Sequence, residues 1–177
     1  MKNIKYVSCL LLIVLFSCKN ESNRVPELEN IHTNLKAEFA PDKRVELFDI
    51  NFELTDNQLI LEGETTTKKA FSILLDSLNA RKLKFTNNVR ILPDSAVGNQ
   101  QFAVAKNSVI NIRSEAKHSA ELGTQGLLGM SLKVLDKKGD FYRVQTPDNY
   151  ISWVDGGGIQ LMTKEEIRNL IQELIQE

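Results

Sequence analysis

Cysteine is nearly absent from this sequence. Its 177 residues contain two, Cys9 and Cys18, both within the first eighteen positions. The rest of the chain therefore has no disulfide framework and no thiol nucleophile, and its stability must come from a packed core. There are only two histidines, His32 and His118. They stand far apart with no cysteine nearby, which does not meet zinc-ligand spacing. Neither has a nucleophile beside it in the sequence, and His118, among Lys117, Ser119 and Glu121, reads as a solvated loop residue. Charge of one sign is lacking too. A formal net charge of −1 gives no basic surface on which nucleic acid would be expected. Four prolines are too few for a long disordered stalk, and 42% hydrophobic content is that of a globular chain. Gly156-Gly157-Gly158 lacks the lysine and hydroxyl of a phosphate-binding loop and reads as a tight turn after Asp155. No cofactor and no metal is expected.

The longest apolar run, Val7 to Phe16, is interrupted only by Ser8. It is about half of the ~20 residues needed to cross a bilayer as a helix. Lys2 and Lys5 precede it, and the small Ser17 follows, then Cys18. This is the charged, apolar, small-residue order of an export signal over residues 1–17. Leu15-Phe16-Ser17-Cys18 resembles the bacterial lipobox, in which the cysteine thiol is acylated before cleavage. Phe16 is bulkier than that pattern usually has, and an uncleaved N-terminal anchor is the alternative. The resemblance implies that Cys18 is the lipidation site, with membrane attachment through its acyl chains. Lys19 rather than Asp after the cysteine implies a cell-envelope location at the outer rather than the inner membrane. Lys19-Asn20-Glu21 also partly resembles the surface-export signals of Bacteroidetes lipoproteins.

Residues 18–41 read as a polar tether followed by a short helix. Leu28, Ile31 and Leu35 fall at helical spacing from about Glu27 to Ala37, Phe39 lies one turn further, and Pro41 ends the pattern. The apolar stripe is expected to pack on the domain that follows. Residues 42–94 give strand, strand, helix, strand. Phe48, Ile50, Phe52 and Leu54 alternate with polar residues. Gln58 to Leu61 is a second strand closed by Glu62-Gly63. Thr66 or Thr67 caps a helix carrying Ala70, Phe71, Leu74, Leu75 and Leu78, and Leu83 to Leu92 is the third strand. Residues 101–161 hold short β patterns. Val104, Val109-Ile110 and Ile112 give one, Ser131 to Leu135 another, and Phe141 to Gln145 and Tyr150 to Val154 two more. The Lys137-Lys138-Gly139-Asp140 and Pro147-Asp148-Asn149 turns lie between them, as in a small barrel. In residues 162–177 a Thr163/Glu166 capping box opens a helix with an apolar stripe of Ile167, Leu170, Ile171, Leu174 and Ile175. Glu165 and Glu166 suit that first turn electrostatically. The stripe needs something to lie against, whether the barrel, a partner chain or a further domain. The fold class is α+β.

Asn57-Gln58-Leu59-Ile60-Leu61-Glu62-Gly63-Glu64 and Phe85-Thr86-Asn87-Asn88-Val89-Arg90, with the helix between them, resemble a BON-type module. That resemblance implies binding of phospholipid or envelope components. Asn111-Ile112-Arg113-Ser114, Ser131 to Leu135, Gly139-Asp140-Phe141-Tyr142-Arg143-Val144 and Tyr150-Ile151-Ser152-Trp153-Val154 resemble a bacterial SH3-like domain. Phe141 stands where that family usually has Trp, and Ser152 where it has Gly. This resemblance implies binding to peptidoglycan or positioning of a cell-wall hydrolase. Together the segments resemble the N-terminal part of Bacteroidetes NlpC-type cell-wall peptidases. The cysteine and histidine those enzymes use for catalysis have no counterpart here.

The expected function is thus a non-catalytic, lipid-anchored envelope protein that binds peptidoglycan peptide or an envelope protein. Two alternatives stand beside it. One is an accessory or truncated subunit of a cell-wall cysteine peptidase. The other is a phospholipid-binding scaffold acting through the BON-like module. The candidate binding residues are aromatic, because Tyr142, Tyr150 and Trp153 present a stacking face and a polar tip. Trp153 is expected first of all to fill the barrel core, and Tyr150 beside its turn is the stronger surface candidate. Arg113 suits a peptide carboxylate, but a structural salt bridge is its first expected role.

Overall fold

The computed structural model describes residues 24–55 and 58–176. The expected leader, the acceptor Cys18 and most of the tether lie outside the described residues. Among those described, no helix is long and apolar enough to cross a membrane.

Among the described residues the architecture is mixed α+β, with three α-helices and two sheets. Helix α1 (Arg24–Phe39) is longer at both ends than the stripe alone indicates. The extra N-terminal turn, with Pro26 where a helix tolerates it, comes out of the expected tether. Leu28 and Leu35 are buried, and α1 packs on strand β1 (Phe48–Thr55) and helix α2 (Lys68–Ala80). Strand β2 (Gln58–Thr65) pairs antiparallel with β1 and parallel with β3 (Phe85–Ile91), so the three-stranded sheet has the order β1-β2-β3. The helix α2 crossover is what a parallel β2/β3 pair requires.

Two local expectations are corrected here. Gly63 does not end β2, which runs on to Thr65. It sits inside the ladder at φ +129°, where a Cβ would come 2.0 Å from the Asp49 carbonyl oxygen, so glycine serves a close backbone approach. Thr67 occupies the position before α2, yet its hydroxyl caps nothing. Thr65 Oγ1 instead accepts from the Thr67 N–H and donates to the Leu47 carbonyl oxygen, so a buried strand residue organises the helix start.

The second sheet has seven strands. They are β4 (Phe102–Ala105), β5 (Val109–Arg113), β6 (Leu122–Leu127), β7 (Ser131–Lys138), β8 (Phe141–Gln145), β9 (Ile151–Asp155) and β10 (Ile159–Met162). Their spatial order is β10-β4-β7-β8-β9-β5-β6. What reads as one pattern over residues 104–112 is two strands, and β6 and β10 carry little alternation to reveal them. The sheet curls around Ala103, Ala105, Ile110, Ile112, Leu132, Val134, Val144, Val154 and Ile159. Helix α3 (Lys164–Gln176) closes the described chain. Thr163 and Glu166 form the expected reciprocal cap, with Thr163 N–H donating to Glu166 Oε2 at 2.7 Å and Glu166 N–H to Thr163 Oγ1 at 3.3 Å. Its start rests on β4 and β10 through buried Ile167, while Leu174 and Ile175 are left in solvent, 66% and 78% exposed.

A separate apolar cluster of Leu47, Leu92, Leu135 and Ile151 joins the two sheets. Leu135 reaches it because of a β-bulge. Val134 faces Val144 and Asp136 faces Arg143, so Leu135 is the extra residue and turns outward from the barrel. Backbone bonds cross the same seam, from Ile151 N–H to the Arg44 carbonyl at 2.6 Å and from Asp94 N–H to the Leu135 carbonyl at 2.8 Å. Gln145 Nε2 adds a bond to the Val45 carbonyl at 3.0 Å.

Candidate functional site

The four candidate binding residues do not converge on one place. Val154 belongs to the barrel core, so alternation along β9 puts Ile151 and Trp153 on its opposite face. Trp153 is buried, at 8% exposure, but not in the barrel interior. Arg143, its register neighbour on β8, covers it with the guanidinium 4.7 Å from the ring centre. Tyr150 is half-buried and precedes β9. It packs beside the core against Gly123, the residue that the β5/β6 irregularity leaves unpaired. A Cβ at Gly123 would meet Tyr150 Oη at 2.5 Å, so the glycine makes room for the ring.

Trp153 and Tyr150 line a cleft of about 340 Å³ along the seam between the two sheets. Lys43, Arg44, Leu47 and Asp49 come from the first module's N-terminal side, and Glu64 from β2. Ser114, Arg143, Tyr150, Ile151, Ser152 and Trp153 come from the barrel. Sequence reasoning names the two aromatics and misses the charged residues, because Lys43, Arg44 and Glu64 lie 86 to 110 positions earlier in the chain. Ion pairs set the cleft's electrostatics. Arg143 Nη1 donates to Glu64, and both side chains are largely shielded from solvent. Lys36 is paired with Asp49. Arg44 holds Asp42 through Nε and Nη2, and these hydrogen bonds bring the Asp42 carboxyl down to about 2. Arg90 ties the other side of the seam, with Asp94 at 3.0 Å, Asp136 at 2.5 Å and Glu64 at 4.0 Å.

The other two candidates lie elsewhere. Arg113 is half-buried and donates from Nη1 to the Ala120 carbonyl at 2.8 Å, so it holds the 114–120 loop by a backbone bond and not by the expected salt bridge. It lines a smaller groove of about 220 Å³ with His118 and Asp155. His118 is exposed, 3.4 Å from Asp155 and edge-on to Phe141. Tyr142 borders a wide surface groove of about 550 Å³ beside Gly156 and Asp140, with the Lys137 ammonium 5.4 Å from its ring centre. Asp155 caps the glycine turn, accepting from Gly157 N–H. His32 lies on α1, stacked on Phe48 and donating from Nε2 to the Phe48 carbonyl. Burial lowers its pKa from 6.5.

Residues 108–160 match the family described as the bacterial SH3 domain. The match begins just before β5 and ends within β10, so it takes in the barrel face of the cleft with Arg143, Tyr150 and Trp153. No curated protein matches the chain. Residues 108–160 are thus a bacterial SH3 domain, set against a β-β-α-β module that supplies the other wall.

Proposed function

We propose that this bacterial SH3 domain serves a non-catalytic binding protein of the cell envelope, anchored by lipid at Cys18, and that its ligand is the peptide part of peptidoglycan. Bacterial SH3 domains commonly bind peptidoglycan or envelope components, and the match over residues 108–160 supports that role here. The observation that carries the reading is the seam cleft, where Tyr150 and Trp153 lie beside fixed charges of both signs. A peptide stem offers amide faces for an aromatic wall and carboxylates for guanidinium and ammonium groups. The anchor rests on the lipobox-like Leu15-Phe16-Ser17-Cys18.

Two experiments test the proposal. The full chain in detergent is incubated with purified peptidoglycan sacculi, beside Tyr150→Ala and Trp153→Ala variants whose far-UV circular dichroism matches wild type. Co-sedimentation of wild type, reduced in a folded Tyr150→Ala variant, is the expected result. Sacculi that leave the folded wild-type chain in solution would refute wall binding and turn attention to a protein partner. For the anchor, expression of Cys18→Ser in a bacterial host should abolish acylation by mass spectrometry and release the protein from the detergent phase. An unchanged membrane fraction would refute it.

A further inference from the structure

We infer that the seam cleft is a composite site for a short acidic peptide, whose carboxylate is read by Lys43 and Arg44 of the β-β-α-β module and whose backbone lies on Tyr150 of the SH3 domain. The inference deepens the wall-binding reading and rests on it. It adds that neither module holds the site alone.

Three observations support it. First, the two walls are fixed relative to each other. The Ile151 N–H to Arg44 carbonyl bond places residue 44 directly beside the β9 strand that carries Trp153. The Leu47, Leu92, Leu135 and Ile151 cluster lies under the seam. Second, the cleft's acids are already matched. Asp49 is paired with Lys36 and Glu64 with Arg143. Among the described residues Lys43 has no carboxylate within ion-pair distance, and Arg44 uses only Nε and Nη2 toward Asp42. An arginine has five N–H donors, so the Nη1 pair remains to receive a ligand carboxylate. The charge left to be matched in the cleft is positive. Third, the aromatic wall is preorganised. Arg143 clamps Trp153 and the glycine at 123 seats Tyr150, so a ligand meets surfaces that need no rearrangement.

The test uses soluble muropeptides released from sacculi by a muramidase, titrated into the full chain in detergent. Trp153 is the only tryptophan, so its fluorescence reads the cleft directly. Wild type should give a saturable change that weakens with added salt. A Lys43→Ala/Arg44→Ala variant should bind roughly a hundredfold more weakly, since each of the two lost charged hydrogen bonds is worth about one decade. Both side chains are exposed, and the Arg44 carbonyl keeps its bond, so the variant should fold as wild type does. Muropeptides with amidated carboxyl groups should bind wild type as weakly as unmodified ones bind the variant. Equal affinity of variant and wild type for unmodified muropeptides, with sacculus binding intact, would overturn the composite site and leave wall binding standing. Failure of wild type to bind both sacculi and muropeptides would overturn the two together.

Discussion

The pair Arg143–Glu64 is one of several contacts that join the two walls of the cleft, and a double-mutant cycle measures its coupling. Arg143 and Glu64 retain 18% and 24% of their side-chain exposure, so the pair lies between a surface ion pair and a buried one. Exposed pairs contribute about 0.2–1 kcal/mol, while breaking a buried pair costs about 3–5 kcal/mol. An intermediate coupling of about 1–2 kcal/mol follows. Arg143 also lies over Trp153 at 4.7 Å, a contact worth roughly 0.5–2 kcal/mol according to its desolvation. Arg143→Ala should therefore cost about 1.5–4 kcal/mol and Glu64→Gln about 1–2 kcal/mol. The double variant should be less destabilised than their sum by the coupling energy. Arg143→Lys should recover only part of the loss, because an ammonium lacks the planar face that covers the ring. For a chain of this size each kcal/mol moves the melting temperature by about 2–4 °C. Urea unfolding followed by far-UV circular dichroism gives the four free energies, provided the transitions are two-state. Circular dichroism is preferred here because substituting Arg143 alters Trp153 fluorescence in the folded state. Coupling within about 0.5 kcal/mol of zero is no more than the additivity of independent sites. That result would refute the claim that this pair helps to join the walls.

Three further outcomes are expected. Gly63→Ala should destabilise the first module by more than about 4 kcal/mol or prevent its folding, since the added methyl meets backbone at 2.0 Å and cannot relax by a side-chain rotation; a near-wild-type urea midpoint would contradict this. His32 is held neutral by burial, its folded pKa lying below the ordinary 6.5, so the unfolded chain binds the extra proton first. Stability is then fully present above pH 6.5 and is lost as pH falls through the window below it. The slope of unfolding free energy against pH should be shallower in His32→Gln. Thr163→Ala should cost about 1 kcal/mol of α3 stability and raise amide exchange in its first turn, because Thr163 Oγ1 accepts the Glu166 N–H; unchanged exchange at Glu166 would show the cap to be idle.

Much of this protein was legible in its sequence alone. Periodicity is a local property, so the apolar stripe of α1, the alternation of β1, β7, β8 and β9, and the Thr163/Glu166 cap could be read directly from spacing. The SH3 resemblance was also legible, since its turns and strands lie consecutively, and the family match over residues 108–160 agrees with it. Strands β6 and β10 were not legible. Leu122-Gly123-Thr124-Gln125-Gly126-Leu127 pairs at the sheet edge on one side only, and its pattern carries no alternation that a core would impose. Gly63 read as a strand end because the sequence does not show which backbone comes near it. The site depended on tertiary structure most of all. Tyr150 and Trp153 announce themselves by residue type, but their surroundings are set by a bulge that turns Leu135 outward and by a backbone bond between Arg44 and Ile151. Lys43, Arg44 and Glu64 carry no local signal, for charged residues on a half-exposed segment look alike until another module is laid against them. Burial on the outer face of a strand likewise depends on what covers it, and here that is Arg143, held by a carboxylate 79 positions earlier.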